Sequence, residues 1–62
     1  MSEMCYDVPD DIGDACEKFG QNFGFYRAVR HTARVEGISN REVLDRNIGE
    51  KLCVPSTAVS LD

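Results

Sequence analysis

Four cationic side chains near the middle of the chain have the types and the spacing to hold an anion. They stand at positions i, i+3, i+4 and i+7 and so share one side of a helix, where we call them the basic stripe: Arg27, Arg30, His31 and Arg34. Arginine presents a bidentate fork to phosphate or carboxylate, so the ligand would be a nucleotide, an oligonucleotide or an acidic protein surface. The alternative, which the sequence favours, is that the stripe pairs with acids on a neighbouring helix, for instance Asp10, Asp14 and Glu17.

A run of acids forms a second charged surface. Residues 1–17 contain acids and no base, whereas bases outnumber acids in residues 18–46. Carboxylates along a rigid helix can imitate a phosphate backbone and occupy a basic groove on a protein that handles nucleic acid. The candidates for this partner-binding surface are Asp10, Asp11, Asp14 and Glu17. The simpler interpretation is a solvated helix start whose acids complement the helix dipole.

The cysteines give no strong sign of a metal site or of catalysis. Cys5, Cys16 and Cys53 stand far apart and form no C-x-x-C pair, so we predict reduced thiols. Together with His31 they could form a Cys₃His zinc site, but no two of these ligands have chelating spacing. We therefore predict no metal and no other cofactor.

Catalysis is the class of function that the sequence favours least. His31 and a cysteine could act as base and nucleophile, but no third orienting group stands at a recognisable spacing. There is also no glycine-rich phosphate loop, and a short chain leaves little room for a pocket that excludes water. We expect a protein that is not an enzyme.

The composition is that of one small globular domain over residues 1–62. The chain has 62 residues, of which 42% are hydrophobic and 29% charged, and its net charge of −4 disfavours a general affinity for nucleic acid. A domain of this size buries only about 60% of the surface that its unfolded chain exposes, so a bound partner or a second copy is expected. No apolar stretch is long enough to span a membrane and no secretory signal is recognisable, so we predict a cytoplasmic protein that does not contact a membrane.

Three helices are predicted to position these residues, in a compact all-α domain with a possible fourth helix. Residues 1–8 form a flexible arm, and a first helix covers 9–19 because Pro9 and two acids suit a helix start. Gly20 and Gly24 mark either a break between two helices or a groove where another backbone approaches, and the break is favoured.

The second and third helices are delimited by clearer signals. The second covers residues 22–36 and ends at Gly37, a residue suited to the left-handed conformation after a helix. A capping box of Ser39 and Glu42 starts the third helix over 40–52, and residues 53–62 form a turn, a short helix or a tail. The apolar spacing predicts a core of Ile12, Cys16, Phe19, Phe23, Tyr26, Val29, Ala33, Val43, Leu44, Ile48 and Leu52.

Residues 48–60 resemble the helix-turn-helix core of many bacterial and phage regulators. The places that this family fills with small, apolar or turn residues hold Ile48, Gly49, Leu52, Cys53, Val54 and Val59, with Cys53 where the family usually has glycine. Because the family contacts DNA from the start of its second helix, the resemblance implies DNA binding by Ser56, Thr57 and Ser60.

The same family pattern also fits an earlier segment. There Ala33 and Gly37 take the small and turn places, and the apolar places hold Ile38 and Val43, although Glu36 stands where an apolar residue belongs. This alignment would turn the following residues towards DNA: Asn40, Arg41 and Arg46.

We therefore expect a small acidic binding protein that regulates or inhibits a larger partner by protein–protein contact. The partner would be a protein or complex that handles nucleic acid, and the chain would act as a monomer or a homodimer. It is similar to the small acidic phage proteins that block bacterial defence or transcription machinery, including anti-CRISPR proteins, in size, acidity and helix content. The alternative is a small helix-turn-helix regulator that binds DNA.

Overall fold

Three helices pack against a two-stranded antiparallel sheet in the computed structural model, which describes residues 2–59. In chain order the elements are β1 (Glu3–Asp7), α1 (Ile12–Gln21), α2 (Phe23–Glu36), α3 (Asn40–Arg46), β2 (Lys51–Pro55) and a short 3₁₀ helix (Ser56–Val59). The prediction of an all-α domain is therefore wrong, although most of the chain is helical. No helix within residues 2–59 has both the length and the apolar character needed to cross a membrane.

The sheet joins the two ends of the chain. β1 and β2 run antiparallel, with Cys5 opposite Cys53 and Tyr6 opposite Leu52. Alternate residues of β2 point into the core, so Leu52 and Val54 are buried while their neighbours are exposed. Two predictions are corrected here: residues 3–7 are a strand rather than a flexible arm, and the third helix does not continue to residue 52.

The helix boundaries follow from local capping. α1 begins after Asp11, whose carboxylate accepts a hydrogen bond from the Gly13 amide at 2.7 Å, and not at residue 9. Asn22 ends α1 and also caps α2, because its side chain accepts a hydrogen bond from the Phe25 amide at 3.0 Å. The favoured break between Gly20 and Gly24 therefore lies at Asn22.

Gly24 also has a packing role. An added Cβ at this position would lie 2.7 Å from the Tyr6 hydroxyl oxygen, which is too close for any side chain. The same addition at Gly20 would meet nothing within 4 Å. The alternative, a groove where another backbone approaches, is not found at Gly24, because its close neighbour is the Tyr6 side chain of β1.

α2 and α3 are joined by the turn that the sequence predicts. Gly37 ends α2 with φ of 69°, in the left-handed region. Ser39 then caps α3, because its hydroxyl oxygen accepts a hydrogen bond from the Glu42 amide at 3.1 Å. α3 stops at Arg46, where Asn47 bonds back to the Val43 carbonyl through its side chain at 2.8 Å, and the chain turns through Gly49 into β2.

The core lies between the sheet and the three helices. Its buried residues are Val8, Ala15, Phe25, Ala28, Val29, Ala33, Val43, Leu44, Leu52 and Val54. Five predicted core residues are among them, but Phe23 and Cys16 are exposed, so α2 is rotated relative to the prediction. The cause is the sheet that the sequence did not reveal: Tyr6 of β1 packs edge-on against Phe25, with ring centroids 6.2 Å apart, and turns that side of α2 inwards.

Candidate functional site

A group of partly uncovered aromatic rings lies where α1 meets α2, and we call it the aromatic patch: Phe19 and Tyr26, which are half-buried, and Phe23, which is exposed. Phe23 is 55% exposed and stacks on Tyr26 at 6.2 Å, and Tyr26 in turn lies 4.8 Å from the Phe19 ring. The break at Asn22 brings the end of α1 beside the start of α2, so the three rings line an open depression of about 430 Å³. The patch therefore offers apolar surface that the fold itself leaves partly uncovered.

The basic stripe continues from the aromatic patch along the outer side of α2. The guanidinium of Arg27 lies 5.5 Å from the centre of the Phe23 ring, and that of Arg30 lies at the same distance from Tyr26. Arg30 also donates a hydrogen bond to the Tyr26 hydroxyl oxygen at 3.1 Å. His31 and Arg34, together with Tyr26 and Ala58, line a second open depression of about 290 Å³. The four predicted anion-binding residues thus share one surface.

The favoured pairing between this stripe and the acidic surface is wrong. In the part of the chain that the structure describes, the ion pairs are those of Arg46 with Glu36 at 3.3 Å and with Glu42 at 2.9 Å. Arg30 and Arg34 are exposed, whereas Arg27 is half-buried and its Nε has no hydrogen-bond partner among the described residues. The charge of the stripe is therefore available to a ligand.

The predicted acidic surface is divided by the fold. Asp14 and Glu17 face outwards on α1 and, with Lys18 as the one base among the described residues of its lining, form a third open depression of about 600 Å³, which reaches Phe23. Asp11 is occupied as the cap of α1, and Asp10 is exposed in the turn before it. Because Phe23 belongs to both the acidic and the apolar depressions, and Tyr26 to both the apolar and the basic ones, the aromatic patch separates two regions of opposite charge.

The residues nominated for DNA binding are not arranged as the helix-turn-helix resemblance over residues 48–60 implies. β2 takes up residues 51–55, where the resemblance over 48–60 requires a helix, and Ser56 and Thr57 follow in the 3₁₀ helix. Ser60 lies outside the described residues. Arg41 and Arg46 of α3 are both exposed, and of the two only Arg46 forms ion pairs among the described residues.

The earlier alignment to the same family falls on α2, α3 and the turn between them. These two helices are joined by three residues, of which Gly37 is the first. Val43 is buried and Ile38 packs against the core, as the apolar places of that pattern require. Asn40, which this alignment also nominates, lies half-buried at the start of α3.

The cysteines are arranged differently from the prediction. Cys5 and Cys53 form a disulfide across the sheet, and Cys16 is a free, exposed thiol on α1. The Cys₃His zinc set is therefore not assembled in the described chain. The sequence carried no sufficient signal for this pair, because β1 and β2 are five residues each and the pairing of Cys5 with Cys53 depends on their long-range register.

Comparison of the chain with protein-family models, with curated proteins and with solved structures finds no match. What the chain binds therefore has to follow from the chemistry of its own surface.

Proposed function

We propose that this chain is a non-enzymatic binding protein that regulates or inhibits a larger protein by docking through the aromatic patch and its two charged flanks. The observation that supports this is the exposure of Phe23, at 55%, between the carboxylates of α1 and a basic stripe without acidic partners among residues 2–59. The size and acidity of the chain support an inhibitor of the phage or mobile-element type.

The composition of the surface suits a protein partner. Aromatic residues and arginine are enriched in protein interfaces and in the residues that contribute most to binding, whereas lysine is depleted. The basic stripe contains three arginines and no lysine. Burying a whole phenylalanine side chain contributes about 1.5–3 kcal/mol, and Phe23 has about half of that still to gain.

The charge pattern indicates what the partner presents. An apolar pocket would receive Phe23, a basic groove would face Asp14 and Glu17, and acidic groups would face Arg27 and Arg30. A basic groove is what proteins that handle nucleic acid use to hold phosphates. Such a protein or complex is therefore the proposed partner, with the α1 carboxylates in place of phosphates.

The test is capture of the partner from a bacterial lysate after nuclease treatment, with tagged wild type, Phe23→Ala and Val35→Ala. Val35 is the matched control because it is an apolar residue of the same helix and is 70% exposed. We expect one protein complex on wild type and on Val35→Ala, and its loss from Phe23→Ala. Equal recovery on all three proteins would contradict docking through the aromatic patch.

DNA binding is the second candidate, and the turn between α2 and α3 is the observation that favours it. Gly37 in the left-handed conformation and buried Val43 occupy the turn place and an apolar place of the helix-turn-helix pattern, which supports this candidate. In that case the bound material would be sensitive to nuclease, would dissociate steeply as salt is added, and would be lost on Arg41→Ala. Neutralising Asp14 and Glu17 would leave such binding intact.

Self-association and compartment are also proposals. A two-fold rotation about the aromatic patch would set the acids of one copy against the basic stripe of the other, which supports a homodimer. Sedimentation of wild type and of Phe23→Ala measures whether the chain dimerises through this patch. The proposed compartment is the cytoplasm. Because thiols are kept reduced there, Cys5 and Cys53 would exist as two thiols in that compartment.

A further inference from the structure

We propose that Cys5, Cys53 and Glu3 bind one Zn²⁺ ion when the disulfide is reduced. The Sγ atoms of the two cysteines and a carboxylate oxygen of Glu3 lie within 4.8 Å of one another, and all three residues are exposed. This site is independent of the proposed function, since it lies on the sheet and the aromatic patch lies on the helices.

The strand register brings the three side chains together. Glu3 and Cys5 are two residues apart in β1 and therefore point to the same side of the sheet, and Cys53 stands directly opposite Cys5. The other side of the sheet is fixed in the core by Leu52 and Val54, which are buried. A register slip of one residue would expose those two side chains and bury the cysteines, so core packing keeps the ligands on the outer surface.

The strands are also held by contacts that do not involve the disulfide. The Val8 amide donates a hydrogen bond to the Glu50 carbonyl at 2.8 Å, and the Lys18 ammonium donates one to the Asp7 carbonyl. Tyr6 packs against the core on the inner side of β1. The two thiols consequently stay opposite each other after reduction, and no large rearrangement is needed to bind an ion.

The donor set suits zinc. Two thiolates and one carboxylate supply three of the four ligands of a tetrahedral Zn²⁺, and water completes the fourth. Thiolate ligands select soft or borderline ions over Mg²⁺ and Ca²⁺. The Cys5 Sγ already lies 4.0 Å from the Glu3 Oε1, so a small movement of the exposed glutamate brings the carboxylate to the ion.

The chemistry balances with an external dithiol as reductant. The dithiol gives two electrons and two protons, the bond between the Cys5 and Cys53 sulfurs breaks, and the reductant becomes a disulfide. Each cysteine is then a thiol. When Zn²⁺ binds, both thiols become thiolates and their protons pass to the buffer.

The test uses Co²⁺ as a spectroscopic substitute for Zn²⁺, in oxygen-free buffer with a phosphine reductant. We expect the reduced wild type to develop a thiolate-to-cobalt absorption band that Zn²⁺ abolishes, and the oxidised wild type to develop none. Titration calorimetry of Zn²⁺ in two buffers of different ionisation enthalpy should show the release of close to two protons per ion at neutral pH.

Variants identify the ligands. Cys5→Ser and Cys53→Ser should each weaken Zn²⁺ binding by about 100-fold or more, and Glu3→Gln by about tenfold. Cys16→Ser is the matched control and should bind as wild type does. The proposal is overturned if the reduced wild type shows no cobalt–thiolate band, or if the band depends on Cys16 rather than on Cys5 and Cys53. Comparing oxidised with reduced wild type needs no substitution, so the test stands even if a variant does not fold.

Discussion

Phe23 and Phe25 are two residues apart in α2 and lie on opposite sides of this helix. Phe25 is fully buried, with the Tyr6 ring against its edge and the Lys18 ammonium 4.8 Å from its ring centre. Phe23 is 55% exposed, and its neighbours are Tyr26 and the guanidinium of Arg27. The same type of residue thus stabilises the fold on one side of the helix and remains available to a partner on the other.

This contrast divides α2 into a core side and a binding side. The core side carries small and apolar residues, Ala28, Val29 and Ala33, against which the sheet and α3 pack. The binding side carries the basic stripe. Substitutions on the first side should act on folding, and substitutions on the second should act on binding.

The largest expected effect is on the core side. Phe25→Ala removes a fully buried ring and should lower the free energy of unfolding by about 3–5 kcal/mol, enough to unfold much of a domain this small. Phe23→Ala is the matched control and should cost less than about 1 kcal/mol. Chemical denaturation followed by circular dichroism measures both. Similar losses for the two variants would show that α2 does not have these two sides.

Reduction of the disulfide should have the next largest effect, because it removes a link that restricts the unfolded chain. The link between Cys5 and Cys53 spans 48 residues, and such a link stabilises by about 2–4 kcal/mol. Denaturation with and without reductant, in the absence of metal, gives this difference. The control Cys16→Ser should lose the same free energy of unfolding on reduction as wild type does. A stability that does not depend on reductant would contradict the pairing of Cys5 with Cys53.

A smaller effect is expected where the sheet closes over α2. Gly24→Ala places a methyl group against the Tyr6 ring and should destabilise by about 1–3 kcal/mol. Gly20→Ala meets no atom within 4 Å and should stabilise by about 0.5–1 kcal/mol, because alanine favours a helix over glycine. The Tm of Gly24→Ala should therefore fall and that of Gly20→Ala should rise. A stabilising Gly24→Ala would mean that Tyr6 does not pack there.

The smallest effect on stability belongs to the binding side. Arg30→Glu should lower the free energy of unfolding by only about 0.5–1 kcal/mol, because Arg30 is exposed, forms no ion pair within residues 2–59 and loses only its contacts with Tyr26. It should nevertheless release the captured partner at physiological salt. Arg41→Glu, an exposed arginine of α3, is the control that should retain it. Loss of the partner on Arg41→Glu alone would favour the DNA-binding candidate.

Local signals predicted where α2 ends and where α3 begins, whereas the start of α1, the end of α3 and the sheet were not predicted. Gly37, Ser39 and Glu42 act within one turn of the chain, so their roles follow from sequence alone. β1 and β2 are five residues each and lie at opposite ends of the described chain, so neither contains enough alternation to predict the other. The wrong prediction that Phe23 is buried followed from this. Phe23 and Phe25 both lie in a segment whose apolar residues have helical spacing, and the sheet, which the sequence did not reveal, decides which of the two is buried.

The candidate site was predicted only in part. The basic stripe was recognisable because residues three and four apart share a helix side. The separation of the basic stripe from Asp14 and Glu17 was not recognisable from the sequence. It follows from the relative rotation of α1 and α2, which depends on the packing of Ala15 and Phe25 in the core. The aromatic patch was missed for the same reason: all three rings were expected in the core, whereas Phe19 and Tyr26 are only half-buried and Phe23 is exposed.

The most direct test of the binding side is to measure Phe23→Ala twice, once for unfolding and once for its affinity for the captured partner. We predict a loss of less than about 1 kcal/mol in unfolding and a fall in affinity of more than about tenfold, while Val35→Ala keeps the affinity of wild type. Unchanged affinity of Phe23→Ala would contradict the assignment of this surface. So would a loss of stability as large as that of Phe25→Ala, because Phe23 would then belong to the core.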